Sequence, residues 1–438
     1  MGVLVAAIGV AAVTAACGRE EPRRSVLLVV LDTVRADHLS AYGYERATSP
    51  DLDRLAEEGE LYTNAWSQSP WTLPSVATIL TGLPPHLHGA ERTGEGLFGV
   101  LEDVPTLAEW LQQLGWRTAA VTNVVWLHPR SGLARGFDSY DHRETDETNR
   151  GHRDARTTTD AALDWLRALD ERESFFLMVH YFDAHLAYDP PAPYDTMFGD
   201  GGASAIPEGF GSAAEVFAIR DGRRRLDDRE RASLISRYDG EIRFAGDELG
   251  RLRREMEALG VWDETLVIVA GDHGEEFWDH GGFEHGHSHH RELLRVPLIV
   301  RDPGGPRGAV RDGRVRLLDI APRVLEFARV GGAQVLPGRA LGAGAAPAAV
   351  AEGSLWAGDV VSVRSDDGIV MLDRGRRTAV YYAPDDPLEE RPQPPTSDRA
   401  RALLTLLQAL PPGSVRAGEA WDPTEQQLQR LRSLGYAR

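Results

Sequence analysis

Two apolar runs constrain the fold of this chain more than any other feature. Residues 25–31 read Ser-Val-Leu-Leu-Val-Val-Leu and end at Asp32, while residues 265–271 read Thr-Leu-Val-Ile-Val-Ala-Gly and end at Asp272 and His273. Neither run alternates between apolar and polar residues, so each is expected to be a strand covered on both faces, as in parallel sheets flanked by helices. Ligands of open α/β sheets sit beyond the carboxyl ends of the strands. Two carboxylates placed there from distant sequence therefore meet in one cleft, and with Thr72 opening a further apolar run they read as a hydrolytic metal site.

The rest of the chain repeats the alternation. The runs 117–122 and 174–182 end on Asn123 and on Asp183 and His185, again polar residues at strand ends. Helical spacing fills the gaps at 49–58, 104–114, 154–169 and 227–259. This predicts a layered α/β sandwich. The stretch 188–226 is rich in Gly, Pro and Ala and is read as a surface insertion or lid. A second low-complexity stretch, 331–349, leads to a smaller unit whose expected strands, 359–364, 368–372 and 378–382, form an antiparallel sheet. The tail shows helical apolar spacing at Leu403, Leu404, Leu406 and Leu407 and again at Leu428, Leu431 and Leu434, and is expected to pack on the outside of the fold. The resulting division is 1–17, a linker 18–24, a large domain 25–335 and a small unit 350–438.

Charge and the N-terminus narrow the class. The formal net charge is -19 and every Lys/Arg position is arginine, which makes nucleic acid a poor partner. An anionic substrate would meet net repulsion, so its site must supply a local positive field from metal ions, arginine or a helix N-terminus. Residues 2–16 are apolar but too short to span a bilayer comfortably, and they run directly into Cys17, the only cysteine. The pattern reads as a signal peptide, and Thr14-Ala-Ala-Cys17 resembles the bacterial lipoprotein box, with an ordinary secretory signal as the alternative. The expectation is a protein of the bacterial cell envelope, lipid-anchored through Cys17 and facing the periplasm or the exterior. A lone cysteine leaves no internal disulfide and no cysteine nucleophile in the mature core.

Thr72 has two readings. The segment 70–82 runs from a turn into a helix, placing Thr72 near the N-cap and Pro74 in the first turn, and a capping threonine is the ordinary explanation. The other is a nucleophile, whose hydroxyl a metal or base must activate and whose alkoxide a helix N-terminus would favour.

These residues together resemble the sulfatases and their relatives in the alkaline phosphatase superfamily. Leu28-Val-Val-Leu-Asp-Thr-Val-Arg-Ala-Asp-His-Leu-Ser-Ala-Tyr-Gly43 is similar to the family's opening strand, and Thr72-Leu-Pro-Ser-Val-Ala-Thr-Ile-Leu-Thr-Gly82 to its nucleophile motif. Gly271-Asp-His-Gly-Glu-Glu-Phe-Trp278, His285-Gly-His287 and Leu294-Arg-Val-Pro-Leu-Ile-Val300 resemble the second half of its metal site, and residues 380–389 the end of its small sheet. The departures matter as much. Sulfatases carry Cys or Ser followed by x-Pro-x-Arg and convert the first residue to formylglycine, whereas here Thr72 stands first and Val76 replaces the arginine. Thr33 replaces the second acid of the opening Asp-Asp pair, and Asn123 stands where a sulfate-binding lysine is expected. This combination resembles the threonine-nucleophile branch of phosphodiesterases, phosphonate hydrolases and phosphoethanolamine transferases.

The resemblance implies an alkaline phosphatase-like three-layer α/β/α sandwich with a small C-terminal antiparallel sheet and helix. It implies Thr72 as nucleophile, with His185 and Asn123 binding substrate. One ion would be held by Asp32, Thr72, Asp272 and His273, and a second by Asp183 or His185 with His285 or His287. Mixed carboxylate and imidazole ligands suit two zinc or manganese ions, the alternative being one calcium. Expected substrates are small anionic phospho, phosphono or sulfo esters, including lipid head groups and glycans. A sulfatase working without formylglycine, a transferase, and a lipid-anchored, metal-containing binding module are the alternatives.

Overall fold

The computed structural model describes residues 23–93, 96–143, 153–170, 173–199, 205–207, 210–331, 336–356, 358–411, 420–421 and 424. Cys17 with the segment before it, and the apolar positions from Leu428 to Leu434, lie outside the described residues.

The two apolar runs form strands Ser25–Leu31 and Thr265–Gly271, which pair in parallel so that Leu31 stands beside Gly271. They occupy the middle of an eight-stranded sheet. Across it run Ala309–Arg311, Glu60–Tyr62, Leu298–Arg301, Thr265–Gly271, Ser25–Leu31, Phe175–Tyr181, Arg117–Asn123 and Ser139–Arg143. Leu298–Arg301 is antiparallel to both of its neighbours, so the sheet is mixed rather than wholly parallel.

The strict period of two along the first strand explains the layers. Val26, Leu28 and Val30 face a core built with Leu73, Val76 and Leu80 of helix Thr72–Thr81 and with Ile320 and Val324 of helix Ile320–Phe327. Leu27, Val29 and Leu31 face the opposite core, built with Leu52 and Leu55 of helix Pro50–Glu58, Leu163 and Leu166 of helix Ala155–Arg167, and Ile242, Leu249 and Leu252 of the long helix Asp228–Ala258. The result is a three-layer α/β/α sandwich. Among the described residues no helix is long and apolar enough to cross a membrane.

The smaller unit is a four-stranded antiparallel sheet, Ala348–Glu352, Val360–Ser365, Gly368–Asp373 and Thr378–Tyr382. Its first strand begins within the stretch read from sequence as low-complexity connection and was not expected, because Ala-Pro-Ala-Ala-Val-Ala carries no alternation to mark it. Helix Asp398–Ala409 lies on this sheet and buries Leu403 and Leu407 against Val361, Val363 and Val370, leaving Leu406 outward. In the insertion, residues 213–220 form a helix with a Ser212/Glu215 capping box.

Candidate active site

The carboxyl ends of the central strands carry the site. Asp32 and Asp272 follow directly on the paired strands, and their backbone amides continue the sheet bonding to the carbonyls of Tyr181 and Leu31. Both side chains are fully buried, and each has one oxygen held and one without a partner. His180 Nε2 lies 3.1 Å from Asp32 Oδ2, while the amides of Thr33 and His273 donate to Asp272 Oδ1 at 3.2 and 2.8 Å. Asp32 Oδ1 and Asp272 Oδ2 have no hydrogen-bond partner. His273 Nε2 lies 3.7 Å from the first of these and 3.5 Å from the second. Buried orphaned oxygens are costly, and two converging on one imidazole nitrogen make a donor set for a divalent cation.

Thr72 completes the cluster. It is the first residue of its helix and Trp71 is the N-cap, so the hydroxyl is not spent on capping. Instead Thr72 Oγ1 lies 3.3 Å from His273 Nε2. The next helical turn holds the helix against the second strand end, because Ser75 Oγ donates to the Asp272 carbonyl at 2.6 Å. Thr33, at the position of the missing second acid, adopts a left-handed backbone (φ 57°) and donates its hydroxyl to the Ala184 carbonyl. It acts as a brace between the first strand end and the segment carrying Asp183 and His185.

Burial and then the charge of Asp32 push the Asp272 carboxyl up to about 7. Burial opposes ionisation of Asp32 too, but the hydrogen bond and charge of His180, followed by His273 and His185, outweigh it and hold that carboxyl below its ordinary value. The two carboxyls are thus pushed in opposite directions, Asp32 toward the ionised form and Asp272 away from it.

Of the other candidates from the sequence, His185 and His285 stand beside the cluster. The His285 ring is centred 4.6 Å from that of His273 and 5.0 Å from that of His185. His285 Nδ1 lies 3.0 Å from Glu275 Oε1, and Tyr188 donates to Glu275 Oε2 at 2.9 Å. Burial, with the neighbouring histidines, holds the His285 imidazole well below its ordinary value. Asp183, Asn123 and His287 each have one group engaged elsewhere, although Asp183 Oδ2 and Asn123 Oδ1 are buried without a hydrogen-bond partner. Asp183 Oδ1 accepts from the Ala155 amide at the start of helix Ala155–Arg167, and burial pushes its carboxyl up to about 7. Asn123 Nδ2 donates to the His180 carbonyl and to Thr158 Oγ1, and His287 Nε2 pairs with Glu276 Oε2 at 2.7 Å.

Sequence reasoning missed His180 and Glu275. A histidine inside an otherwise apolar strand was the available signal for the first, and the unbroken Asp-His-Gly-Glu run for the second. Gly274 within that run is required by close approach, since a Cβ there would lie 1.9 Å from the Glu292 carbonyl oxygen.

A second group, His280, His290 and Glu292, also brings ligating atoms together. Its geometry is that of a hydrogen-bonded pair. His280 Nδ1 lies 2.7 Å from Glu292 Oε1 and Nε2 lies 3.0 Å from the Glu389 carbonyl, while the His290 ring stacks parallel on it at 3.8 Å. The Glu292 hydrogen bond, against the opposing effect of burial, pushes His280 up to about 9 from 6.5. A raised value in the folded state stabilises fully below 6.5 and is lost as pH rises through 9. Urea unfolding at pH 5.5 and at pH 9.5 should therefore show His280→Gln costing on the order of 1 kcal/mol at the lower pH, once solvent screening of the partly exposed His280 is allowed for, and much less at the higher. An equal cost at both would overturn the assignment.

The fold and this cluster define an enzyme of the ester-bond hydrolase class. The chain belongs to the sulfatase family, whose model matches residues 24–330. It is 24% identical over 376 residues to an arylsulfatase of Clostridium perfringens, covering 70% of this chain and 75% of that one. It is 26% identical over 387 residues to the multifunctional alkaline phosphatase superfamily protein PehA of Trinickia caryophylli, covering 70% and 74%. In fold it resembles the phosphonate monoester hydrolase of Agrobacterium radiobacter, with a TM-score of 0.69 at 20% identity over 88% of this chain and 94% of the other. A structure solved with its substrate D-glucosamine-2-N,6-O-disulfate is similar at a TM-score of 0.67, with 20% identity and 88% and 97% coverage.

Proposed function

We propose that this chain hydrolyses small anionic phospho, phosphono or sulfo esters through Thr72, phosphoryl esters being preferred. The observation that carries this is Thr72 Oγ1 at a helix start, 3.3 Å from His273 Nε2 and in a cluster whose Asp32 Oδ1 and Asp272 Oδ2 lack partners. A divalent cation held by Asp32, Asp272, His273 and Thr72 would make the hydroxyl more acidic and offset the substrate's charge. The chain's own groups do the rest. The Thr72 hydroxyl gives up its proton as its oxygen forms a bond to phosphorus, or to sulfur. The bond to the leaving alcohol oxygen breaks and that oxygen takes up one proton, so that none is gained or lost overall. Water then cleaves the threonyl ester and frees the nucleophile. The amides of Thr72 and Leu73 at the helix start favour the anion, Pro74 having no N–H and the Ser75 amide being bonded to the Trp71 carbonyl.

His285 stands beside His273, with His185 on its other side; the expected role of His285 is metal binding, and that of His185 is substrate binding or, alternatively, metal binding. Asn123 holds the His180 strand end through its amide.

The test is turnover of 4-nitrophenyl phosphate, phenylphosphonate and sulfate esters by wild type and Thr72→Ala. Turnover of the phosphoryl esters above the sulfate, abolished by the substitution, is the expected result. Turnover of the sulfate alone would identify a sulfatase working without formylglycine. Ester binding without turnover in either protein would identify a binding module. Anchoring through Cys17 is part of the same proposal, and Cys17→Ser should move the protein out of the membrane fraction.

A further inference from the structure

His285 sits on an unusual backbone. Glu284 before it and Gly286 after it both adopt left-handed conformations, with φ of 67° and 78°. For glycine that is ordinary, but for a glutamate it is disfavoured and is kept only where surrounding contacts impose it. Two elements distant in sequence supply the contacts. Arg220, the last residue of helix Ala213–Arg220 in the insertion, pairs with the buried Glu284 carboxylate. From the other side, the amides of Leu355 and Trp356, in the connection between the first two strands of the small sheet, donate to the Gly286 carbonyl at 2.7 and 3.0 Å. The two sides also meet each other, because the Arg220 guanidinium carbon lies 4.4 Å from the centre of the Trp356 ring. The ring they hold between them is the one bonded to Glu275 and lying against His273 and His185.

We propose that Arg220 and Trp356 are positioning residues that together clamp His285 in the active site, the insertion and the C-terminal unit each supplying one half. The proposal deepens the esterase reading by naming what holds one of its histidines. Arg220 acts through Glu284, and the Trp356 side chain acts by giving Arg220 a flat surface to lie on, while the backbone amides of Leu355 and Trp356 hold the Gly286 carbonyl. Gly286 leaves no room for adjustment, since a Cβ there would lie 2.8 Å from the Leu355 Cβ.

The experiment uses full-length protein with 15N-labelled histidine, the His285 ring signals being identified by their loss in His285→Gln. Arg220→Met and Trp356→Ala are expected to shift those signals and lower kcat about tenfold or more, with KM changed by less than about twofold. Arg220→Lys should restore part of the rate. Glu284→Gly relieves the left-handed backbone but breaks the ion pair, so it should reproduce the Arg220→Met effect. The double variant should then be no worse than either single one, the signature of residues acting as one unit. Unmoved His285 signals in both Arg220→Met and Glu284→Gly, effects that multiply, or a raised KM at unchanged kcat would overturn the clamp. Should wild type turn over no ester of the three classes, the proposed function fails, while the ring signals still decide the clamp.

Discussion

Thr72→Ala is expected to lower kcat on the preferred ester by at least about a thousandfold while leaving the fold intact. The size follows from what the side chain does. Its hydroxyl makes no cap, its helix is held by Ser75 and by a fully buried apolar face, and its oxygen points at the cluster. On the proposed mechanism, removing it deletes the nucleophile and little else. Thr72→Ser keeps the oxygen and should retain measurable turnover, and quench-flow with wild type should show a burst of alcohol release if the threonyl ester accumulates. A Thr72→Ala protein that keeps more than about a tenth of the wild-type rate would end the nucleophile assignment.

The second large effect concerns the carboxylates. Asp32 and Asp272 each present one oxygen that nothing in the protein satisfies, and burial with the charge of Asp32 pushes Asp272 up to about 7. A cation answers both. Elemental analysis after dialysis should find a divalent ion in wild type. Asp272→Asn and Asp32→Asn should lose it, with affinity weakened at least about 100-fold, since even outer partners of a ligand reach that range. His287→Ala is expected to leave the first ion in place, because its imidazole is committed to Glu276. A second ion that disappears with His287 would show that the loop rearranges on metal binding and would restore the two-ion site expected from the sequence. Full retention in Asp272→Asn would remove the metal from the mechanism.

What could be read from sequence follows burial. The strands Ser25–Leu31 and Thr265–Gly271 were legible to the residue because both faces are covered and no polar position interrupts them. The three-residue strands Glu60–Tyr62 and Ala309–Arg311 were not, being too short to show a period. Nor was the reversed direction of Leu298–Arg301, which depends on the path of the chain rather than on its own residues. Asp32, Asp272 and His273 were legible because each follows an apolar strand, whereas the segment around Thr72 left two readings open and only the family resemblance pointed to a nucleophile. His180 was not, since its role depends on its strand lying beside the first one, with Val30 and His180 in register. The partners of Asp183 and His287 are a backbone amide and a hairpin carboxylate, and no spacing announces either.

The pairing of Ser25 with Thr265 also sets a timetable for synthesis. The strand that leads into Asp32 emerges from the ribosome early, yet its neighbour on one side is made some 240 residues later. At the usual pace of translation that is a wait of roughly 10–50 s. Throughout it, one edge of a wholly apolar strand stays open to other chains. Nascent chains stalled before residue 265 should aggregate or remain bound to chaperones, whereas chains stalled well beyond residue 301 should resist proteolysis.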